Sequence, residues 1–229
     1  MRTAVIVSHG QPGDPGPQQQ AIEDLAHAVA SHHPGCPVAG ATLAMPGALA
    51  AVCDDDSLIY PMFMAEGWFT RSELPRRLAQ AGAARASILR PFGTDPALPA
   101  LIVAKAHQAA REMGWQPDQT TLLLTAHGSG RSQASFTITN AVADQITPHF
   151  ARVVTGFVEQ EPFLLDAARG LTQAVSLPFF ALRAEHVLDD LPAALDQAGF
   201  TGPRLDPIGL APEVPALIAA SLRQNLGKP

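Results

Sequence analysis

Residues 122–128 read Leu-Leu-Leu-Thr-Ala-His-Gly, and residues 4–10 read Ala-Val-Ile-Val-Ser-His-Gly. Both stretches are short apolar runs that end in His-Gly, a pattern typical of a buried strand followed by a tight turn. Two more segments recur at nearly the same spacing: residues 40–46 return as 156–162, and residues 60–63 return as 177–180. The chain is therefore predicted to contain an internal duplication.

The segments between these runs are longer and amphipathic, and the alternation of the two kinds predicts βα units that build a parallel sheet. The expected fold class is α/β, with two similar lobes that each hold a parallel sheet flanked by helices. Residues 114–118, Gly-Trp-Gln-Pro-Asp, are the expected boundary between the two lobes. We predict lobes of residues 1–115 and 116–229, each of a common domain size.

The pattern predicts seven strands and seven helices. The predicted strands are Val5–Ser8, Pro37–Leu43, Ser57–Phe63 and Ala86–Arg90 in the first lobe, and Thr121–Ala126, Arg152–Glu159 and Val175–Phe180 in the second. The predicted helices are Gln18–Ser31, Arg71–Ala81, Leu98–Met113, Gln133–Thr147, Phe163–Gln173, Asp190–Ala198 and Pro212–Asn225.

Composition is ordinary for a globular protein, because 47% of the 229 residues are hydrophobic and 16% are charged. The net charge of −6 argues against nucleic-acid binding, which needs a basic face. The first apolar run is too short for a signal peptide or a membrane span. Cys36 and Cys53 form no Cys-x-x-Cys motif, which favours a reducing compartment. We expect a cytoplasmic protein, monomeric or homodimeric, without nucleic-acid or membrane partners.

The two lobes differ at the positions that could carry chemistry. His9 aligns with His127, but Leu43 aligns with Glu159 and Phe69 aligns with His186. The second lobe thus keeps two imidazoles and a carboxylate, which can bind a transition metal or move protons. All three residues follow predicted strands, and ligands of parallel sheets gather beyond the carboxyl ends of strands. We therefore expect His127, Glu159 and His186 to converge on one edge.

Each of these residues also has an ordinary structural interpretation. A His-Gly pair can simply end a strand, and Glu159 or His186 can be solvated surface residues. His127 is followed by a polar turn with Ser129 and Arg131 at a predicted helix N-terminus, where anionic groups are stabilised. His9, which lacks the two partners, is interpreted as a relic or a helper.

At these positions the chain resembles the class II chelatases of tetrapyrrole biosynthesis, and most closely the CbiX-type sirohydrochlorin chelatases. The motifs that carry the resemblance are His127-Gly128-Ser129, the Gly-Phe-Val-Glu-Gln-Glu-Pro stretch at 156–162, and Leu-Pro-Phe-Phe at 177–180 leading to His186. The resemblance implies insertion of Co²⁺ or Fe²⁺ into sirohydrochlorin or a related tetrapyrrole, in cobalamin or siroheme biosynthesis.

The same resemblance implies roles for single residues. His127 and His186 would bind the metal, with Glu159 as a further ligand or as the group that removes protons. Ser129, Arg131 and His9 are the expected substrate contacts. The divalent metal (Co²⁺, Fe²⁺ or Ni²⁺) would be a substrate, and no organic cofactor is expected. Imidazole and carboxylate accept all three metals, so the residue types do not choose among them.

The macrocycle is flat and carries many carboxylates, so apolar residues and arginines should contact it. The candidates in the sequence are Met62, Met64, Phe180, Arg71, Arg131 and Arg183. Two other functions stay open: a chelatase-like protein that binds a tetrapyrrole or a metal without catalysis, and a serine hydrolase. A histidine phosphatase is disfavoured because Ser8 stands where such an enzyme has a phosphate-binding arginine.

Overall fold

The computed structural model describes residues 2–183 and 189–226. This part of the chain forms seven β-strands: β1 Ala4–Ser8, β2 Val38–Thr42, β3 Leu58–Pro61, β4 Ser87–Ile88, β5 Thr121–Ala126, β6 Arg152–Phe157 and β7 Ala174–Pro178. It also forms α1 Pro15–Ser31, α2 Ala48–Val52, α3 Leu74–Gln80, α4 Leu98–Glu112, α5 Ala134–Ile146, α6 Leu164–Ala168, α7 Asp190–Gln197 and α8 Val214–Leu226.

The strands make two sheets in which every pairing is parallel. The first sheet has the order β2-β1-β3-β4, and the second has the order β6-β5-β7. The predicted α/β class, with two parallel sheets flanked by helices, is confirmed. Each strand was predicted at its observed place, and β5 has the predicted bounds, because continuous apolar runs between turn residues are typical of buried parallel strands.

Three local features differ from the sequence prediction. The short helix α2 was not predicted, because five residues are too few to show a helical period. A π-helical turn at Phe69–Glu73 precedes α3, where one continuous helix was expected. Helix α6 ends at Ala168 and not at Gln173, since Gly170 adopts a φ of 68°, a conformation that favours glycine and ends helices.

The chain divides into two compact units. The first contains Met1–Asp95 and Pro212–Pro229, and the second contains Pro96–Ala211. These units differ from the predicted lobes 1–115 and 116–229 by two helices. Helix α4, expected in the first lobe, belongs to the second unit, and α8 belongs to the first. The compact units are therefore described separately from the predicted lobes, from which they differ by the exchange of these two helices.

The two exchanged helices occupy equivalent places. In the second unit α4 packs against β7 and α5, and in the first unit α8 packs against β3 and α1. Each helix follows an X-Pro step, Asp95-Pro96 or Ala211-Pro212, and the residue before each proline is extended. Both steps follow a 3₁₀ turn, Phe92–Thr94 or Ile208–Leu210, so the chain leaves each sheet in the same way.

Each sheet has a helical layer on both faces. In the first unit, α2 and α3 cover the face that carries Val5, Val7 and Ala41. Helix α1 covers the opposite face so closely that a Cβ at Gly40 would lie 2.4 Å from the backbone oxygen of Ile22. In the second unit, α6 and α7 pack on the face of Leu123. Within the described residues, no helix is long and apolar enough to cross a bilayer.

Candidate active site

His127 directly follows β5, and the half-exposed imidazole is oriented by the backbone beside it. Its Nδ1 lies 2.8 Å from the carbonyl oxygen of Gly128. Because a carbonyl oxygen only accepts hydrogen bonds, Nδ1 must carry the proton. The Nε2 atom of the neutral ring then has the lone pair, and it is the nitrogen that can bind a metal or accept a proton.

The loop after His127 is held by Gln160, a residue to which the sequence analysis gave no role. The backbone N–H of Ser129 donates a 2.8 Å hydrogen bond to Oε1 of Gln160. Gly128 has a φ of 74°, and a Cβ there would lie 2.7 Å from Cγ of Gln160. Glycine is therefore needed here both for its conformation and for the close contact. Gln160 follows Glu159 directly, which was the available sequence signal.

Glu159 follows β6 by two residues and lies beside His127. Its backbone N–H donates a 2.9 Å hydrogen bond to the carbonyl oxygen of His127, which ties the ends of the two strands together. Its Oε2 lies 3.6 Å from Nδ1 of His127, and both side chains are partly exposed. The structure thus brings together two of the three predicted site residues at the carboxyl end of the sheet.

His186, the third predicted residue, lies outside the described residues. Among residues 2–183 and 189–226, no three histidine, cysteine, aspartate or glutamate side chains form a group that could hold a metal. The described part of the site therefore supplies one imidazole and one carboxylate.

The first unit carries a related arrangement around His9. Nδ1 of His9 lies 2.6 Å from the carbonyl oxygen of Gly10, so His9 has the same tautomer as His127. Phe69, which aligns with His186 in the repeat, packs edge-on against the His9 ring with 4.4 Å between ring centroids. The repeated fold thus places these two positions in contact in the first unit.

The alignment of Leu43 with Glu159 is corrected by the strand register. Ser8 pairs with Thr42, and the equivalent Ala126 pairs with Phe157, so Leu43 corresponds to Val158 and Ala44 to Glu159. The N–H of Ala44 donates to the carbonyl oxygen of His9, just as that of Glu159 donates to His127. Leu43 points into the core of its unit, because successive strand residues face opposite sides.

The other predicted substrate contacts are placed in different ways. Ser129 Oγ accepts a hydrogen bond from the backbone N–H of Arg131, whose side chain is exposed. Arg71 and Arg183 are exposed and form ion pairs with Glu66 and Asp206.

Two of the predicted apolar contacts are buried side chains. Met62 directly follows β3 and Phe180 follows β7 by two residues, and both side chains are buried. Met64 is half-buried.

Comparison with known proteins identifies a family for both halves of the chain. The family model named CbiX matches residues 3–109 and again residues 121–225. The two matches together cover most of the sequence and agree with the predicted duplication. No curated protein matches the sequence.

Solved structures agree with this result. A CbiX described as the terminal enzyme of siroheme biosynthesis in denitrifying bacteria is 59% identical, with a TM-score of 0.93 over 98% of this chain and 99% of its own. A chelatase-like multi-domain protein from Deinococcus radiodurans is 25% identical, with a TM-score of 0.69 over 96% of this chain and 54% of its own. SirB from Bacillus subtilis with Fe³⁺ is 12% identical and shares the fold, with a TM-score of 0.76 over 99% of this chain and 96% of its own.

Proposed function

The chain belongs to the CbiX family, and from this membership and the geometry around His127 we propose how it works. It is a metal chelatase that inserts a divalent metal ion into sirohydrochlorin. The observation that carries the mechanism is the pairing of His127 with Glu159 at the carboxyl end of the second sheet. The metal ion is a substrate of this reaction.

We assign metal binding to Nε2 of His127, with His186 and Glu159 as the other ligands. The hydrogen bond from Nδ1 to Gly128 supports this assignment, because it leaves the lone pair on Nε2. For His186 the support is the repeat: Phe69 holds the equivalent position in the first unit and touches His9. Two imidazoles and one carboxylate leave coordination positions for the pyrrole nitrogens of the substrate.

Insertion of one divalent ion must release the two protons of the pyrrole N–H groups. We propose that the carboxylate of Glu159 accepts one of them and that solvent carries both away. Because the side chain of Glu159 is 47% exposed, a proton on it can pass to water. The net charge of the macrocycle core is unchanged, since one 2+ ion replaces two protons.

Substrate contacts by Ser129, Arg131 and His9 remain part of the proposal. Ser129 and Arg131 lie in the turn between His127 and α5, and the exposed guanidinium can pair with a carboxylate of the macrocycle. The monomeric or homodimeric state, the cytoplasmic location and the lack of nucleic-acid and membrane partners also stay predictions.

We propose Fe²⁺ as the physiological metal. The support is the 59% identical CbiX of siroheme biosynthesis, since siroheme is the iron complex of sirohydrochlorin. Co²⁺ should also be inserted, because the same ligand types accept both ions.

The central experiment follows the absorbance change when the protein is mixed with sirohydrochlorin and Fe²⁺ or Co²⁺ without oxygen. We expect His127→Ala to lower kcat/KM by roughly 10² or more, and Glu159→Gln to lower kcat by roughly tenfold or more. His9→Ala is the matched control, because it removes the equivalent imidazole from the first unit, and it should change kcat/KM far less.

Two outcomes would contradict the proposal. A wild-type rate equal to that without protein would indicate a binding protein that does not catalyse insertion. Equal losses of kcat/KM in His9→Ala and His127→Ala would mean that the second unit does not bind the metal by itself.

A further inference from the structure

The first unit exposes a cluster of aromatic side chains beside His9. We call Phe63, Trp68 and Phe69 the aromatic patch. The rings of Trp68 and Phe69 meet edge-on at 5.0 Å, and those of Phe63 and Phe69 are stacked at 6.2 Å. Phe69 also contacts His9 at 4.4 Å. The four rings therefore form one contiguous group.

Two apolar rings of this group, Trp68 and Phe69, are exposed, whereas Phe63 is half-buried and packs against the core of its unit. Trp68 is 63% exposed, the highest value among the large exposed hydrophobic residues of the described chain, and Phe69 is 38% exposed. Single exposed apolar residues are ordinary, but neighbouring exposed aromatic rings indicate a binding surface. Because most of its surface is exposed, Trp68 is available to a ligand.

The patch lies at the ligand-binding edge of its sheet. His9 directly follows β1, and Phe63 follows β3 by two residues. In parallel sheets, ligands bind beyond the carboxyl ends of the strands. Phe69 moreover holds the position that corresponds to the proposed ligand His186, so the patch replaces metal chemistry with an apolar surface at the same place in the repeat.

A charged residue borders the patch. Arg71 lies in the same π-helical turn as Phe69, and its side chain is 72% exposed. Its ion pair with Glu66 is solvated, and such pairs are weak enough to exchange for another carboxylate. Aromatic rings edged by a guanidinium match a flat macrocycle that carries carboxylates on its rim.

We propose that the aromatic patch binds one face of metal-free sirohydrochlorin and that Arg71 pairs with one of its carboxylates. This inference rests on the proposed function and adds the residues that hold the macrocycle. Phe69 serves this role better than histidine, because a second imidazole beside His9 would retain the metal that must be transferred.

Fluorescence tests the proposal directly. The chain has two tryptophans, so Trp115→Phe leaves Trp68 as the sole indole. Titration of this variant with metal-free sirohydrochlorin should quench the emission of Trp68. In the otherwise wild-type chain, Trp68→Ala and Phe69→Ala should each raise the Kd and the KM roughly five- to tenfold, with kcat within about twofold. Arg71→Ala should raise both constants as well, and Trp68→Phe should restore binding.

The control is Met113→Ala, which removes an exposed apolar side chain (49% exposed) elsewhere and should leave the Kd unchanged. An unquenched Trp68, or wild-type affinity in Trp68→Ala, would overturn the proposal. So would a shift from dimer to monomer in Trp68→Ala with an unaltered Kd, because the patch would then cover a second copy of the chain.

Failure of the proposed function would look different. His127→Ala should still bind metal-free sirohydrochlorin and quench Trp68, while it loses turnover. If His127→Ala keeps its turnover, the assignment of metal binding to His127 fails, whereas the binding result for the patch stands.

Discussion

At the scale of single residues, a register difference of one position separates a site residue from a core residue. Leu43 and Val158 pack against the cores of their units, whereas Ala44 and Glu159 follow them on the opposite side of the strand. Both His9 and His127 have Nδ1 fixed by the next carbonyl oxygen. The first unit thus keeps an oriented imidazole and lacks only the groups around it.

This comparison predicts that a metal site can be rebuilt in the first unit. In a His127→Ala background, the double substitution Ala44→Glu and Phe69→His should restore binding of about one Co²⁺ per chain, because it recreates two imidazoles and a carboxylate in the register of the second unit. Equilibrium dialysis with metal analysis measures the stoichiometry.

The control for this prediction places the carboxylate one residue earlier. Leu43→Glu with Phe69→His should bind no metal and should lower the Tm, because it buries a carboxylate in the core. Equal metal binding by both double variants would contradict the corrected register.

At the scale of elements, the π-helical turn and α3 are joined by one carboxylate. The side chain of Glu73 is 10% exposed and forms ion pairs with Arg76 and Arg77, which lie three and four residues further along the helix. Hydrogen bonds from Arg76 and then Arg77 lower the pKa of Glu73 from 4.5 to about 2. This cluster fixes the turn that presents Phe69.

We predict a pH-dependent contribution of Glu73 to stability. Since its folded pKa is depressed, the stabilisation is complete above pH 4.5 and is lost as the pH falls towards 2. Glu73→Gln should therefore lower the Tm at pH 7, and the difference from wild type should shrink between pH 4.5 and 2. Thermal unfolding by circular dichroism measures both curves.

Glu66→Gln is the matched control, because Glu66 forms an exposed ion pair with Arg71 and such pairs add little stability. A Tm difference for Glu73→Gln that stays constant down to pH 2 would show that the charge of Glu73 is not responsible.

At the scale of the whole molecule, the repeated sequence and the compact unit are different things. The family model matches each repeat together with its own last helix, whereas α4 and α8 pack in the opposite units. Ile102 of α4 and Leu222 of α8 are both fully buried. Each unit therefore depends on a helix that the other repeat encodes.

Cavity substitutions in these helices test the exchange. Leu222→Ala should accelerate amide hydrogen exchange in β1–β3, and Ile102→Ala should accelerate it in β5–β7. Each change should cost about 2–5 kcal/mol, because it leaves a cavity in a packed core. Hydrogen-exchange mass spectrometry resolves the two regions, and the reverse assignment would contradict the helix exchange.

Much of this organisation could be predicted. The apolar runs located every strand, and the His-Gly pairs located the edge where His127 and Glu159 meet. The roles of Gln160 and Trp68 could not be predicted, because a loop hydrogen bond and an exposed ring follow from the path of the chain. The burial of Met62 and Phe180 could not be predicted either, because it depends on which helix covers each strand end.

The sequence by itself determined the α/β class, the duplication and the asymmetry between the two halves. These features depend on periodicity and residue chemistry within short segments of the chain. Only the tertiary structure decided which residue of the first repeat corresponds to Glu159 and which sheet α4 and α8 each pack against. Those outcomes depend on strand register and on packing between distant segments, and neither has a local signal in the chain.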